Sequence, residues 1–249
     1  GVIAGAGLVY TVWKWARVVL RRVSALPLGA PADVVAEMLD AAAVVLRTPT
    51  LIWMFVGGAL TAASMNSMVA WSLSYVQREI GLDLAAAGRQ VGLLGLTAGV
   101  LGSWVGGRLG DFLMERFPSG RVVASALGFL IGAPFCVVLL LVHDVTWFSL
   151  LVFLVVFLFT WYNGPIAAVL FDVVPRRIAA TVMGAYVFFI HIAGDAIALP
   201  VVGALSDRYG LRAAMLTLPA VGLLGALLLL LSVPTVARDM ARVRQPAPA

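Results

Sequence analysis

Long apolar segments, each bounded by polar residues, are the feature that most constrains how this chain of 249 residues can fold. Six of them reach about 20 residues or more, the length that a helix needs to cross a hydrocarbon layer of ~30 Å. They are residues 49–75, 91–113, 122–142, 145–171, 179–206 and 211–233. Only 12% of the residues are charged, against about 25% in a soluble domain. We therefore predict an all-α membrane protein with six transmembrane helices.

The regions outside these segments predict the rest of the domain organisation. Residues 1–13 form an apolar run too short to span a bilayer, and its charges follow it, whereas a signal peptide carries them first. We expect this run to be the tail of a truncated transmembrane helix, and the sequence to be a fragment. Residues 14–48 predict a cytoplasmic central loop with an amphipathic surface helix over 32–46. Residues 234–249, basic and then rich in Pro and Ala, predict a disordered cytoplasmic tail.

The charge distribution predicts the orientation and excludes some classes of protein. The net charge is +5, but the basic residues are spread over short loops, which argues against a nucleic-acid partner. If residues 14–48, called the opening region, are cytoplasmic, then 13 of the 17 Lys and Arg residues lie on the cytoplasmic side of the membrane. This asymmetry predicts a multi-pass protein of the cell inner (plasma) membrane. Cys136 is the only cysteine, which excludes an internal disulfide and a thiolate cluster, and we predict no metal or other cofactor.

The second segment carries a stripe of glycines at spacings of three and four, which places them on one helix face. They are Gly92, Gly95, Gly99, Gly102, Gly106 and Gly110. Such a face allows close helix packing, or alternatively lets a neighbouring helix slide during transport. Two prolines inside later segments, Pro165 and Pro200, are also predicted to shape helix packing, since proline removes a backbone donor.

The fifth segment places two ionisable side chains near its middle. His191 and Asp195 are four residues apart and share a helix face. Ionisable groups at this depth are costly and usually face a wet cavity or a partner, and imidazole titrates near physiological pH. We predict either a proton-linked or substrate-binding pair, or a hydrogen-bonded strut between helices.

Other polar side chains in the apolar segments extend this candidate pathway. Asn163, just before Pro165, could bond a substrate or bridge to His191, although a kinked packing helix is the alternative. Asn66 is predicted either to line a cavity or to join helices by hydrogen bonds. The predicted substrate or proton pathway comprises His191, Asp195, Asn163, Tyr162, Trp161 and Asn66.

A short motif lies between the second and third segments. Gly107-Arg108-Leu109-Gly110-Asp111 resembles the loop signature of the major facilitator superfamily, in which a Gly and an Asp enclose three residues beside basic ones. The family usually has a basic residue directly after the Asp, where this chain has Phe112. Asp111 could accept hydrogen bonds from a helix N-terminus of a second half and hold the cytoplasmic side closed, or could be a solvated loop carboxylate. The predicted gating loop comprises Gly107, Arg108, Asp111, Arg116, Arg176 and Arg177.

Residues 163–210 resemble the Spinster branch of this superfamily. The resemblance rests on Asn163-Gly-Pro, Val174-Pro-Arg-Arg177, Ala180-Thr181, His191 to Ala196, Pro200, Gly203, Ser206 and Asp207. It implies a monomeric twelve-helix transporter of two six-helix halves, of which this chain is the C-terminal half and the N-terminal half is missing. It also implies alternating access and a lysophospholipid or sphingolipid-phosphate substrate, often with proton coupling, whose main charges lie in the N-terminal half.

These observations lead to one main hypothesis and three alternatives. The main one is secondary active, proton-linked transport of a lysophospholipid or another amphipathic organic molecule across the lipid bilayer. A multidrug or metabolite exporter of another superfamily branch is the second. A membrane scaffold and an intramembrane enzyme are the others. An enzyme is disfavoured because His143, the only other histidine, lies at the outer end of a loop, Cys136 has no basic partner nearby in sequence and no HExxH-type pattern exists.

Overall fold

The computed structural model describes the backbone of residues 31–244 and the side chains of residues 37–243. The predictions for residues 1–30 and 245–249 lie outside this range. The chain divides into two units, residues 1–40 and 41–249. Helix α1 (Pro31–Arg47), over the predicted amphipathic segment, begins in the first unit and ends in the second.

The second unit contains six helices long and apolar enough to cross a membrane. They are α2 (Pro49–Ile80), α3 (Leu84–Met114), α4 (Gly120–Leu141), α5 (Val145–Asp172), α6 (Ala179–Tyr209) and α7 (Leu211–Leu230). The prediction of six transmembrane helices is confirmed. The largest difference is at α3, which begins at Leu84 rather than at residue 91 because Asp83 caps it by accepting a hydrogen bond from the Ala86 amide.

The starts of α2, α4 and α6 lie at the end of the bundle that is predicted to be cytoplasmic, called the inner end, and the opposite end is the outer end. Three of the six helices contain a 3-10 turn or a π-helical segment. A 3-10 turn over Thr160–Tyr162 interrupts α5 just before Pro165. A π-helical segment of five residues lies at Val76–Ile80 in α2, and one of six residues lies at Ile190–Asp195 in α6. The second of these contains the predicted His191–Asp195 pair, and π segments are frequent at functional sites.

Packing within the bundle is uneven. In α2, 67% of the most apolar window is buried within the chain, against 11% in α3 and 17% in α6. The core around α2, α4, α5 and α7 is dense, and the rings of Phe129 and Phe159 stack there at 4.5 Å. The helices α3 and α6 therefore leave most of their surface to lipid or to another part of a larger assembly.

Helix α2 makes polar contacts with several neighbours along its length. At mid-depth the Ser64 hydroxyl donates to the Leu218 carbonyl of α7 at 2.8 Å. Nearer the outer end, the Tyr75 hydroxyl donates to the Leu140 carbonyl of α4 at 2.7 Å. At the outer end, the Glu79 carboxylate pairs with the Arg212 guanidinium at 3.0 Å. These contacts fix α2 against the helices that surround it.

The glycine stripe of α3 packs closely over its inner half only. A side chain at Gly102 would collide with Phe157, and one at Gly106 would collide with the backbone of Trp161. In the outer half, a side chain at Gly92 or Gly95 would meet no atom within 4 Å. The expected close packing at Gly95 is therefore not found.

The remaining positions predicted to shape packing differ in their surroundings. A β-carbon on Gly110 would lie 2.9 Å from the Pro165 ring, so Pro165 is at a close contact between α3 and α5. A β-carbon on Gly99 would lie 3.9 Å from the Thr160 methyl group, an ordinary contact. Pro200 lies inside α6 and is exposed.

We expect Gly106→Ala to lower the thermal stability of the purified full-length protein. The new methyl group would meet the Trp161 backbone, which cannot yield as a flexible side chain can, and overpacking costs about 1–3 kcal/mol. Gly107→Ala is the matched control, since a β-carbon at this adjacent helical position meets nothing within 4 Å. Equal melting temperatures for the two variants would contradict the close α3–α5 packing.

The predicted disorder of residues 234–249 is wrong for residues 234–244, which lie in helix α8 (Val233–Arg244). The basic composition suggested a solvated tail, but Val236 and Met240, four residues apart, are buried at 0% and 5% exposure. Asp239 is also buried, at 2% exposure. Its carboxylate accepts hydrogen bonds from the Thr50 amide at 3.2 Å and the Thr50 hydroxyl at 2.8 Å. An anion thus caps the N-terminus of α2, where the free amides favour negative charge.

Candidate functional site

A cluster of three polar side chains lies in the middle of the bundle between α2 and α6. One Asp195 carboxylate oxygen, Oδ2, lies 2.6 Å from the His191 Nδ1 and accepts a hydrogen bond from the Asn66 amide at 2.8 Å. The other oxygen, Oδ1, is buried and has no hydrogen-bond partner among the described residues. We call His191, Asp195 and Asn66 the polar trio.

The two ionisable members of the trio differ in exposure. The Asp195 side chain is 13% exposed, whereas that of His191 is 57% exposed on the sparsely covered α6. A carboxylate in an apolar segment needs polar partners, and here the contacts from Asn66 and His191 both go to one oxygen. The His191–Asp195 contact places Nδ1 and Oδ2 close enough to share one proton.

The other residues of the predicted pathway are not joined to His191. The Asn163 amide donates to the Ser103 hydroxyl at 3.2 Å, so the predicted bridge from Asn163 to His191 is not found. Tyr162 is buried against Phe129, with 5.7 Å between ring centroids. Trp161 packs its ring edge-on to Phe157 at 5.8 Å, and its indole nitrogen is buried without a described partner. Asn66, rather than Asn163, is the amide that reaches the pair.

At the inner end, an ion network joins three helices. The Arg121 guanidinium of α4 pairs with the Asp111 carboxylate of α3 at 2.9 Å and with the Asp172 carboxylate of α5 at 2.5 Å. Asp111, 64% exposed, is therefore held in an ion pair rather than solvated alone. Sequence reasoning gave Arg121 no gating role and missed Asp172, because Asp172 is far from the motif in sequence and only the fold brings it close.

Two other arginines of the predicted gating loop contact aromatic rings. The Arg108 guanidinium lies over the Trp104 ring at 5.3 Å, and that of Arg116 lies over the Phe112 ring at 4.1 Å. Phe112, where the superfamily usually has a basic residue, thus supports an arginine through a cation–π contact. Three further positions of the loop are accessible: Gly107 has open space around its β-carbon position, and Arg176 and Arg177 are exposed.

Six transmembrane helices, a mid-membrane polar trio and an ion network at one end are together typical of membrane transport proteins. The family model of the Major Facilitator Superfamily matches residues 1–194. The chain therefore belongs to the Major Facilitator Superfamily. A curated relative from Mycolicibacterium smegmatis, described as an MFS-type efflux pump, is 32% identical over 163 residues. That match covers 65% of this chain and 38% of the relative.

Two crystal structures of a bacterial homologue of the human lysosomal transporter Spinster share the fold, which agrees with the predicted similarity to that branch. The inward-facing, unoccupied structure has a TM-score of 0.72 at 16% identity and matches 85% of this chain. The inward-facing, occupied structure has a TM-score of 0.67 at 17% identity and matches 82% of this chain. The chain spans 52% of the length of each, which agrees with the prediction that it is one half of a larger fold.

Proposed function

We propose that these six helices form the C-terminal half of a proton-linked secondary transporter that moves an amphipathic organic molecule, such as a lysophospholipid. It works by alternating access together with a six-helix N-terminal half, as a monomer, in the cell inner (plasma) membrane. The opening region and α8 are cytoplasmic. The proposed role is transport rather than intramembrane catalysis or a purely structural one, which the superfamily membership supports.

The single observation that carries the proton-linked part is the bonding of Asp195. The carboxylate lies at mid-membrane, and through one oxygen it accepts the Asn66 hydrogen bond and lies 2.6 Å from the His191 Nδ1, while its other oxygen has no partner among the described residues. A carboxylate and an imidazole in contact can share one proton. A pair of this kind can link proton uptake to substrate occupancy, because each changes the free energy of the other.

The inner-end network and the sparse cover of two helices support alternating access. Arg121 joins α3, α4 and α5 at one end, so these helices can move together. The faces of α3 and α6 are available to a second half that rocks against this one. The likeness to two inward-facing structures agrees with this arrangement at the level of fold.

The substrate class has one alternative that a specific comparison favours. The curated relative is described as an efflux pump, which supports export of drugs or metabolites by this chain as a second candidate function. An exporter would accept chemically varied apolar compounds, whereas the proposed transporter would require a polar headgroup joined to a hydrocarbon chain. Competition between a lysophospholipid and lipophilic cations for uptake distinguishes the two.

The experiment that tests the proposal is uptake of a radiolabelled lysophospholipid into proteoliposomes that contain the full-length protein. We expect an imposed pH gradient to raise the initial rate several-fold, and a protonophore that collapses the gradient to remove this increase. Protein-free liposomes control for spontaneous flipping of the lipid. Protein-dependent uptake that ignores the gradient would contradict proton coupling, and uptake no faster than in protein-free liposomes would contradict the substrate class.

A further inference from the structure

An apolar cavity of about 280 Å³ lies within the outer half of the bundle, between α2, α3 and α5. Its walls include Met65 and Met68 of α2, Gly92 and Gly95 of α3, and Val152 of α5. The cavity is open beside α3 because Gly92 and Gly95 leave space where side chains would stand. None of the three residues of the polar trio lines this cavity.

The dimensions of the cavity suit one narrow ligand. Its lining runs over Met65–Tyr75 on α2, residues 91–99 on α3 and residues 148–160 on α5. At 1.5 Å per residue these stretches are about 12–18 Å long and follow the helix axes. The volume is just below the ~300–1,000 Å³ of pockets that enclose whole drug-sized ligands. A space this long with so little volume matches a single extended hydrocarbon chain better than a compact molecule.

Three residues that line the cavity carry hydroxyl groups, but each of these hydroxyls already donates a hydrogen bond. The hydroxyls of Ser72 and Tyr75 donate to the Val69 and Leu140 carbonyls at 2.6 and 2.7 Å. The Thr160 hydroxyl donates to the Val156 carbonyl of its own helix. Among the described residues that line the cavity, none is charged. With these donors already used, the walls favour a hydrocarbon over a polar group.

One end of the cavity lies level with the polar trio. Met65 in its wall precedes Asn66, which bonds to Asp195, so the two residues differ by ~1.5 Å in height along α2. We infer that the cavity receives the hydrocarbon chain of the transported amphipathic molecule while its headgroup stays at the depth of Asp195 and His191. This inference rests on the proposed function and adds the position of the chain.

The test uses alkylphosphocholines of increasing length, from octyl to hexadecyl, as competitors of lysophospholipid uptake by the full-length protein. Gly95→Leu fills the cavity, and Gly92→Leu fills it from the neighbouring turn. Gly88→Leu is the matched control, because it adds the same side chain in open space outside the cavity. We expect both cavity variants to weaken inhibition by the hexadecyl compound about tenfold or more, since each pair of methylenes kept from burial costs about tenfold in affinity.

The inhibition by the octyl compound and the whole series in Gly88→Leu should stay as in the wild type. An unchanged dependence on chain length in both cavity variants would overturn the inference and leave the proposed function standing. An equal loss for every chain length would also overturn it, because the substitution would then act on transport in general. If the wild type neither transports the lysophospholipid nor binds any member of the series, the proposed substrate class fails, and the inference fails with it.

Discussion

Asp195→Asn is expected to reduce gradient-driven uptake to the rate measured without a pH gradient, while exchange of substrate across the membrane continues. The asparagine keeps the volume and one oxygen that can accept the Asn66 hydrogen bond, but it can no longer take up or release a proton. Net uptake driven by protons needs that step, whereas exchange of one substrate molecule for another does not. Parallel assays of uptake and exchange in proteoliposomes measure the two rates separately.

Asp144→Asn is the matched control for this charge removal. Asp144 caps α5 from the outer end, where its carboxylate accepts hydrogen bonds from the Thr146 and Trp147 amides. Asparagine is an equally good N-cap, so uptake and exchange should both remain as in the wild type. Undiminished gradient-driven uptake by Asp195→Asn would reduce the polar trio to a structural hydrogen-bonded contact between α2 and α6.

Asp239→Ala is expected to produce the largest loss of stability among substitutions of charged residues. The carboxylate is 2% exposed, and its removal leaves the buried Thr50 amide and hydroxyl without this acceptor at the start of α2. A buried donor left unsatisfied costs about 1–3 kcal/mol, and the helix N-terminus also loses its anion. Thermal unfolding of the purified full-length protein in detergent, followed by far-UV circular dichroism, measures the effect.

Two further variants make this result specific. Asp239→Asn keeps an acceptor oxygen and most of the volume, so its melting temperature should fall less than that of the alanine variant. Asp207→Ala removes an exposed carboxylate from the outer end of α6 and should leave the melting temperature almost unchanged. The capping role of Asp239 would be wrong if Asp239→Ala melted at the wild-type temperature.

The sequence predicted the helices well because membrane insertion depends on the hydrophobicity of a whole segment of about 20 residues, which can be read directly from the sequence. It also predicted that His191 and Asp195 share a face, since spacing within one helix is local information. It could not predict that Asn66, rather than Asn163, reaches Asp195, because that contact depends on how α2 and α6 cross. The pairing of Arg121 with Asp172 was missed for the same reason.

Composition misled the prediction at the C-terminal end and on α3. Pro234 and the arginines in residues 234–244 suggested a solvated tail, but the spacing of Val236 and Met240 is that of a helix with one buried face. The glycines of α3 form one stripe in sequence, yet Gly106 packs on Trp161 whereas Gly95 borders an open cavity. A small residue permits close approach but does not show whether a neighbour is present.

The polar contacts of α2 have a mechanical consequence. Thr50 is bonded to α8, Asn66 to α6, Tyr75 to α4 and Glu79 to Arg212, so the helix is pinned at four depths to four different partners. Sliding or turning α2 by itself would break hydrogen bonds at all four depths at once. In any rocking motion α2 and the partners bonded to it are therefore expected to move together as one unit.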